Sequence, residues 1–257
     1  MGTDFVTWPL RSKLFITLGG GAAALALMMS LLVNHTVVDE VRRLEDRSLV
    51  QTQAAIDGFL AHRRSQLLER CRLVPGNHDT PALLREVFSG CYGAAPAGSA
   101  CFAERLGDWT ILALDSHFPG EIGGKVGGAQ LAWLRKRLAE AADAPTLLFL
   151  HHPPGPIGTP WLDGMALLEP APLVEILASA SQLRAILCGH VHQDTTASVS
   201  RVPLITTPST CFQFRPGSVK PAFDDAAPAF RVIELEGDAF TTRVVRVGEP
   251  ASPVAPP

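Results

Sequence analysis

Three histidine-containing turns, each following a short apolar segment, constrain the fold of this 257-residue chain more than any other feature. They are Gly76-Asn77-His78-Asp79 after residues 73–74, His151-His152-Pro153-Pro154 after residues 146–150, and Gly189-His190-Val191-His192 after residues 185–188. Short apolar runs bounded by turns are typical of buried strands. In open α/β sheets ligands bind at the carboxyl ends of strands, so we expect the fold to bring the three turns together.

The segments around these turns predict an α/β domain over residues 71–247. Thr80 followed by Pro81 predicts a helix start, and the apolar residues of that helix are Leu83, Leu84, Val87 and Phe88. A second helix is predicted over residues 131–142, with an inward face of Leu131, Trp133, Leu134 and Leu138. Helix 173–180 and strands at 73–74, 102–106, 109–114, 146–150, 185–188, 202–206, 230–236 and 240–247 complete the prediction. Residues 248–257 are rich in proline and alanine, which predicts a disordered tail.

The first part of the chain has a different character. Residues 14–33 contain no charge and are long enough for a helix to cross a bilayer, so we expect an N-terminal tail and membrane helix within residues 1–36. The flanking charges, basic before and acidic after, place the remaining chain outside the cytoplasm of a bacterial inner membrane, crossed once. A cleaved signal peptide is the alternative. Residues 37–70 predict a juxtamembrane helical segment.

Composition excludes two broad classes of protein. Hydrophobic residues make up 47% of the chain, which argues against a disordered protein. The formal net charge of −3 provides no strong basic field, so we expect no nucleic-acid partner.

The glycine-rich residues 120–128 predict a flexible surface loop. The alternative is a phosphate-binding loop, but the segment lacks the Gly-Lys-Ser/Thr ending of such loops.

With these three turns, residues 72–247 resemble the calcineurin-like metallophosphoesterases, and residues 187–193 and 207–214 resemble the bacterial class III cyclic-AMP phosphodiesterases. The resemblance implies a metallophosphoesterase-type β-sandwich flanked by helices. It also implies a metal-dependent phosphodiesterase that hydrolyses 3′,5′-cyclic nucleotides such as cyclic AMP, in a family that is cytoplasmic. The expected partner is therefore a small phosphodiester substrate.

The resemblance implies metal ligands at four positions: Asn77, His151, His190 and His192. The first three would hold one of two divalent ions of the Mn, Fe or Zn type, and the last would hold the other. His78 would be a catalytic histidine that binds no metal, with Asp79 orienting it. His152, next to a ligand, would bind substrate or serve only to orient its neighbours.

The chain also departs from the family pattern. The family has Asp-x-His on its first strand and Gly-Asp on its second, and neither motif precedes Gly76. The aspartates before that point are Asp4, Asp39, Asp46 and Asp57. We therefore expect a partial domain that lacks its first strands and has an impaired metal centre. The alternative functions are a non-catalytic membrane-anchored binding or sensor protein, or an inactive product of a composite or truncated gene.

Overall fold

A six-stranded mixed sheet forms the centre of the fold in a computed structural model that describes residues 13–16, 72–88, 92 and 95–247. The helices of these ranges are α1 Pro81–Val87, α2 Gly128–Glu140, α3 Pro160–Asp163 and α4 Ala171–Ser179. The strands are β1 Lys13–Ile16, β2 Phe102–Leu106, β3 Trp109–Ala113, β4 Thr146–Leu150, β5 Leu183–Cys188, β6 Thr196–Val199, β7 Val202–Thr206, β8 Gln213–Phe214, β9 Phe223–Asp224, β10 Ala229–Glu236 and β11 Ala239–Arg246.

The strand order of the central sheet is β2-β3-β4-β5-β7-β6. Strands β3, β4, β5 and β7 run parallel, whereas β2 and β6 pair antiparallel with the ends of this parallel core. Every residue of β3 and of β4 is buried, as expected of parallel strands covered on both faces. The carboxyl ends of β4 and β5 consequently lie side by side.

Alternate residues of the central strands enter two separate cores. Leu148 of β4 and Ile186 of β5 join a cluster that also contains Leu134 of α2. The residues that alternate with these along β4 and β5 enter a second cluster, which contains Leu187 of β5 and Ile233 of β10. Helices α2, α3 and α4 thus cover one face of the central sheet, and an antiparallel sheet of order β1-β10-β11 covers the other, where Leu84 of α1 also packs. This arrangement confirms the prediction of an α/β fold with two packed sheets and flanking helices.

Two local predictions are wrong. Residues 73–74 form no strand; the carbonyl of Leu73 instead accepts a hydrogen bond from the Tyr92 hydroxyl, at 3.0 Å. Helix α1 begins at Pro81 as predicted, but only Leu84 among its residues is buried, while Leu83 is 56% and Val87 43% exposed. A helix of two turns presents little more than one residue to a core, so its other apolar side chains remain at the surface.

The predicted membrane helix is not helical where the structure describes it. Strand β1 pairs antiparallel with β10, with Leu14 opposite Ile233 and Phe15 opposite Val232. Aromatic and β-branched residues such as Phe15 and Ile16 suit a sheet, which explains this pairing. Residues 17–71, which include the rest of that span, the predicted juxtamembrane segment and the place of the expected first strands, lie outside the described residues, as does the predicted tail. Within the described ranges, no helix is long and apolar enough to cross a membrane.

Candidate metal centre

Two of the histidine turns are joined at the carboxyl ends of neighbouring parallel strands. Leu150, the last residue of β4, lies opposite Cys188, the last residue of β5. Directly beyond this pair, the Gly189 N–H donates a hydrogen bond to the His151 carbonyl, at 3.1 Å. The ring centroids of His151 and His190 are 5.2 Å apart as a result.

The third turn reaches the other two through close contact with His151. A Cβ atom on Gly76 would lie only 2.8 Å from the His151 ring, so this approach requires glycine. The next residue, Asn77, places its Oδ1 atom 3.1 Å from His151 Nε2 and 3.4 Å from His190 Nδ1. The structure therefore brings three of the sequence-predicted ligands together: Asn77, His151 and His190.

Backbone strain accompanies the placement of the Gly189–His192 turn. His190 and His192 both adopt left-handed backbone conformations, with φ of 65° and 50°. Residues other than glycine in this region cost about 1–3 kcal/mol each, and such strain persists where the surroundings enforce it, often at functional sites. The Val191 N–H donates to the Gly189 carbonyl at 2.7 Å, which tightens the turn between the two rings.

Burial keeps the clustered imidazoles uncharged at neutral pH. It lowers the pKa of His190 to about 3, and the nearby His152 adds to this lowering. The backbone of Met165 partly opposes this lowering of the pKa. Burial also lowers the pKa of His151 well below its usual value, and His152, His190 and His192 add to the effect. Neutral imidazoles have a free lone pair, which a metal ligand requires.

The donor atoms fit a divalent cation. Ligands around a tetrahedral zinc ion at ordinary bond lengths lie about 3.3 Å apart, close to the separations of Asn77 Oδ1 from the two imidazoles. The His190 nitrogen at this spacing is Nδ1, and the other ring nitrogen, Nε2, is buried without a hydrogen-bond partner. Imidazole nitrogen and amide oxygen are suitable ligands for Mn, Fe and Zn.

His152 belongs to the same cluster by distance but differs in its bonding. It forms, with His151 and His190, a buried group whose ligand atoms lie within 4.8 Å of one another. Both of its ring nitrogens are already engaged, however: Nδ1 with the Ser116 hydroxyl at 2.9 Å and Nε2 with the Ile122 carbonyl at 3.0 Å. The ring is completely buried, which favours an orienting role over substrate binding.

Residues 120–128, for which we expected only a surface loop, contribute to this arrangement. A Cβ atom on Gly124 would lie 2.2 Å from Nδ1 of His152, so the loop backbone packs directly against that ring. The sequence signal for this contact is a glycine-rich segment beyond a strand end, but nothing in the sequence identifies His152 as its partner. Ser116 has a clearer signal, because it is a polar residue just past the end of β3.

His192 lies apart from the buried cluster. Its Nδ1–H donates to the Phe212 carbonyl at 3.0 Å, which leaves Nε2 as the nitrogen with a free lone pair. Burial lowers the pKa of His192 to about 4. The ring stacks on Phe214, with centroids 5.0 Å apart and an interplanar angle of 19°. His192 is thus oriented by a backbone acceptor, as metal-binding histidines commonly are.

The two candidate catalytic residues differ in exposure. His78 is exposed to solvent, and its charge contributes to the lowered pKa of His151, His190 and His192. Asp79 is buried, and its Oδ2 accepts a hydrogen bond from the Gly76 N–H at 2.7 Å, while Oδ1 has no partner. Burial raises the pKa of Asp79, against the opposing effects of that hydrogen bond and of His78. Asp79 therefore closes the turn that carries His78.

Comparison with known proteins identifies the family. The family model for calcineurin-like phosphoesterases matches residues 32–194, well over half of the chain. This chain belongs to the calcineurin-like phosphoesterase family. The resemblance drawn from the histidine turns is confirmed at this level, and with it the prediction of a phosphoesterase hydrolase in a family that uses divalent metal ions. The match begins at residue 32, upstream of the region in which the resemblance was seen.

Named relatives are similar over most of the chain. The 3′,5′-cyclic adenosine monophosphate phosphodiesterase CpdA of Escherichia coli K12 is 35% identical over 206 residues, which cover 80% of this chain and 72% of the relative. The protein of the same name from Pseudomonas aeruginosa is 33% identical over 205 residues, covering 78% and 72%. A 3′,5′-cyclic-nucleotide phosphodiesterase of Nostoc sp. is 29% identical over 217 residues, covering 82% and 80%.

The contact between Gly76 and His151 gives a first prediction. In Gly76→Ala the new methyl group displaces the His151 ring, so we expect zinc affinity measured by calorimetry to fall about 10- to 100-fold. The control is Gly128→Ala, whose Cβ would meet no atom within 4 Å, and it should bind zinc like the parent chain. Equal affinity for parent and Gly76→Ala would contradict the described packing.

Acid should destabilise the metal-free chain through its buried histidines. Burial lowers the pKa of His152 from 6.5 to about 4, so between these values the unfolded chain binds more protons than the folded chain. The free energy of unfolding should therefore stay level above about pH 6.5 and fall as the pH decreases toward 4. Urea unfolding in EDTA at a series of pH values measures this loss. His152→Asn should reduce it, and an unchanged pH profile would refute the role given to His152.

Proposed function

We propose that this chain is a metal-dependent phosphodiesterase that hydrolyses 3′,5′-cyclic nucleotides, with cyclic AMP as the preferred substrate to test. The observation that carries the proposal is the convergence of Asn77 with His151 and His190, which follow the carboxyl ends of β4 and β5. Relatives at 35% and 33% identity are named cyclic-AMP phosphodiesterases, which supports the substrate class.

The proposed ligand sets follow the positions of the imidazoles. Asn77, His151 and His190 would hold one divalent ion of the Mn, Fe or Zn type, and His192 would supply one ligand to a second ion. Bound ions would offset the phosphodiester charge and would supply a hydroxide at neutral pH. His192 supports this assignment because its Nε2 atom is left free by the Phe212 carbonyl.

In this proposal His78 acts on the reacting phosphodiester. A hydroxide oxygen, formed from water by loss of one proton to solvent, bonds to phosphorus, and the bond from phosphorus to the ribose 3′ oxygen breaks. A proton donated by His78 prevents the build-up of charge on that leaving oxygen. Its solvent exposure beside a cluster of buried rings supports this role, since a substrate can reach it. Asp79 positions His78 by fixing the Gly76–Asp79 turn.

The remaining residues of the site support the ligands. His152 holds its own turn by bonding to Ser116 and Ile122, which fixes the backbone that carries His151. Metal-site residues of this supporting kind affect metal affinity strongly without touching the ion. We therefore assign His152 to positioning and not to substrate binding.

Hydrolysis of cyclic AMP by the manganese-loaded chain tests the proposal. We expect His78→Ala to lower kcat about 10²- to 10⁴-fold without loss of bound metal, because it removes proton transfer alone. Asn77→Ala should lower both metal content and activity, whereas Asn77→Asp retains an oxygen ligand and should lose less of each. Chromatographic detection of 5′-AMP measures turnover, and metal analysis of the same samples measures occupancy.

The control for these variants is Lys136→Ala, which alters an exposed side chain on α2 and should match the parent. No turnover of cyclic AMP by a metal-loaded parent chain would overturn the proposed substrate. Turnover unaffected by both His78→Ala and Asn77→Ala would overturn the assignment of the site.

A further inference from the structure

Next to His192 a hairpin carries a stack of aromatic rings. Strands β8 and β9 form this hairpin, and Phe214 of β8 lies opposite Phe223 of β9. The Phe214 ring stacks on His192, at 5.0 Å, and on Phe223, at 5.7 Å and an angle of 25°. Phe212 contacts His192, Phe214 and Phe223, with ring centroids 4.8–5.3 Å away.

The outer rings of this stack face solvent. Phe223 is 67% exposed and Phe212 is 37% exposed. Val219, on the loop of the same hairpin, is 73% exposed. Among the described residues, three of the exposed large apolar side chains therefore lie on this hairpin or directly beside it. Exposed apolar patches of this kind often mark binding surfaces.

The base of the hairpin is held firmly. Trp161 packs edge-on against Phe214, with centroids 4.8 Å apart, and its Nε1–H donates to the Ser218 hydroxyl at 3.0 Å. The buried Gln213 donates to the Ser209 carbonyl at 2.7 Å. The rings are therefore pre-positioned, which lowers the entropic cost of binding a flat ligand.

We propose that Phe212 and Phe223 form a stacking platform for the base of a nucleotide whose phosphate lies at the candidate metal centre. This inference rests on the proposed function and extends it to recognition of the base. Continuity with the site supports it, because the stack begins at the His192 ring, a proposed ligand, and leads outward from it. Phenylalanine offers a face without hydrogen-bonding groups, so the platform should hold any base, purines more firmly than pyrimidines.

A comparison of two substrates across three variants tests the platform. The substrates are cyclic AMP and ribose 3′,5′-cyclic phosphate, which lacks a base. We expect Phe223→Ala to raise KM for cyclic AMP about tenfold, with kcat within twofold of the parent and KM for the base-free diester unchanged. Phe223→Tyr keeps the ring and should restore the parent KM. Lys136→Ala, an exposed side chain on α2 outside the patch, should match the parent.

The outcomes separate this inference from the proposed function. If the parent hydrolyses both diesters and Phe223→Ala raises KM for cyclic AMP no more than KM for the base-free diester, the platform is overturned. The proposed function then stands. A parent dimer in gel filtration that becomes a monomer in Phe223→Ala, with both KM values unchanged, would assign the patch to a second copy of the chain instead. If the parent hydrolyses neither diester, the proposed function fails. The platform is then tested by calorimetry of 5′-AMP and of ribose 5-phosphate, which lacks a base. Weaker binding of 5′-AMP alone in Phe223→Ala supports the platform, and equal binding of 5′-AMP by parent and variant overturns it.

Discussion

The parallel pairing of β4 with β5 is the constraint on which the candidate site depends. It sets Leu150 opposite Cys188, so the residues that follow each strand leave the sheet at the same edge. His151 and His190 become neighbours through this register, and the Gly189 N–H bond to the His151 carbonyl fixes their separation. A shift of the register by one residue would turn alternate side chains to the opposite face and separate the two rings.

Burial of three imidazoles in one place has an energetic cost that the surrounding residues partly offset. His152 satisfies both of its ring nitrogens with Ser116 and Ile122, so it adds polarity without a free lone pair. His151 and His190 instead share the Asn77 oxygen, and His190 retains an unsatisfied nitrogen. Polar groups left incomplete in a buried cluster, together with strained backbone at His190, are typical of sites completed by a ligand.

Local pattern predicted five of the six strands of the central sheet and helices α1, α2 and α4, but not the short strand β6 or the single-turn helix α3. The uninterrupted apolar run of β4 indicated a strand buried on both faces, and the spacing of Leu131, Leu134 and Leu138 indicated the inward face of α2. The meeting of the His151 and His190 turns followed from the general position of ligands at strand ends, whereas the Asn77 turn joins them without a strand before it.

The errors arose where the decisive contacts are between residues distant in the chain. Leu83 has the spacing of a core residue but lies on a short helix with too little surface opposite it. The uncharged residues 14–16 suit a membrane helix by hydropathy, yet pairing with β10 places them in a sheet. The contact between Gly124 and His152 depends on how a loop folds back, which spacing along the sequence does not encode.

Crystals of the zinc-loaded chain, with anomalous scattering recorded across the zinc absorption edge, test the central claim most directly. If the three turns form one metal centre, the strongest anomalous peak will lie in contact with Oδ1 of Asn77 and with a ring nitrogen of both His151 and His190. A peak confined to other residues, or a cluster that binds no zinc at saturating concentration, would contradict the account.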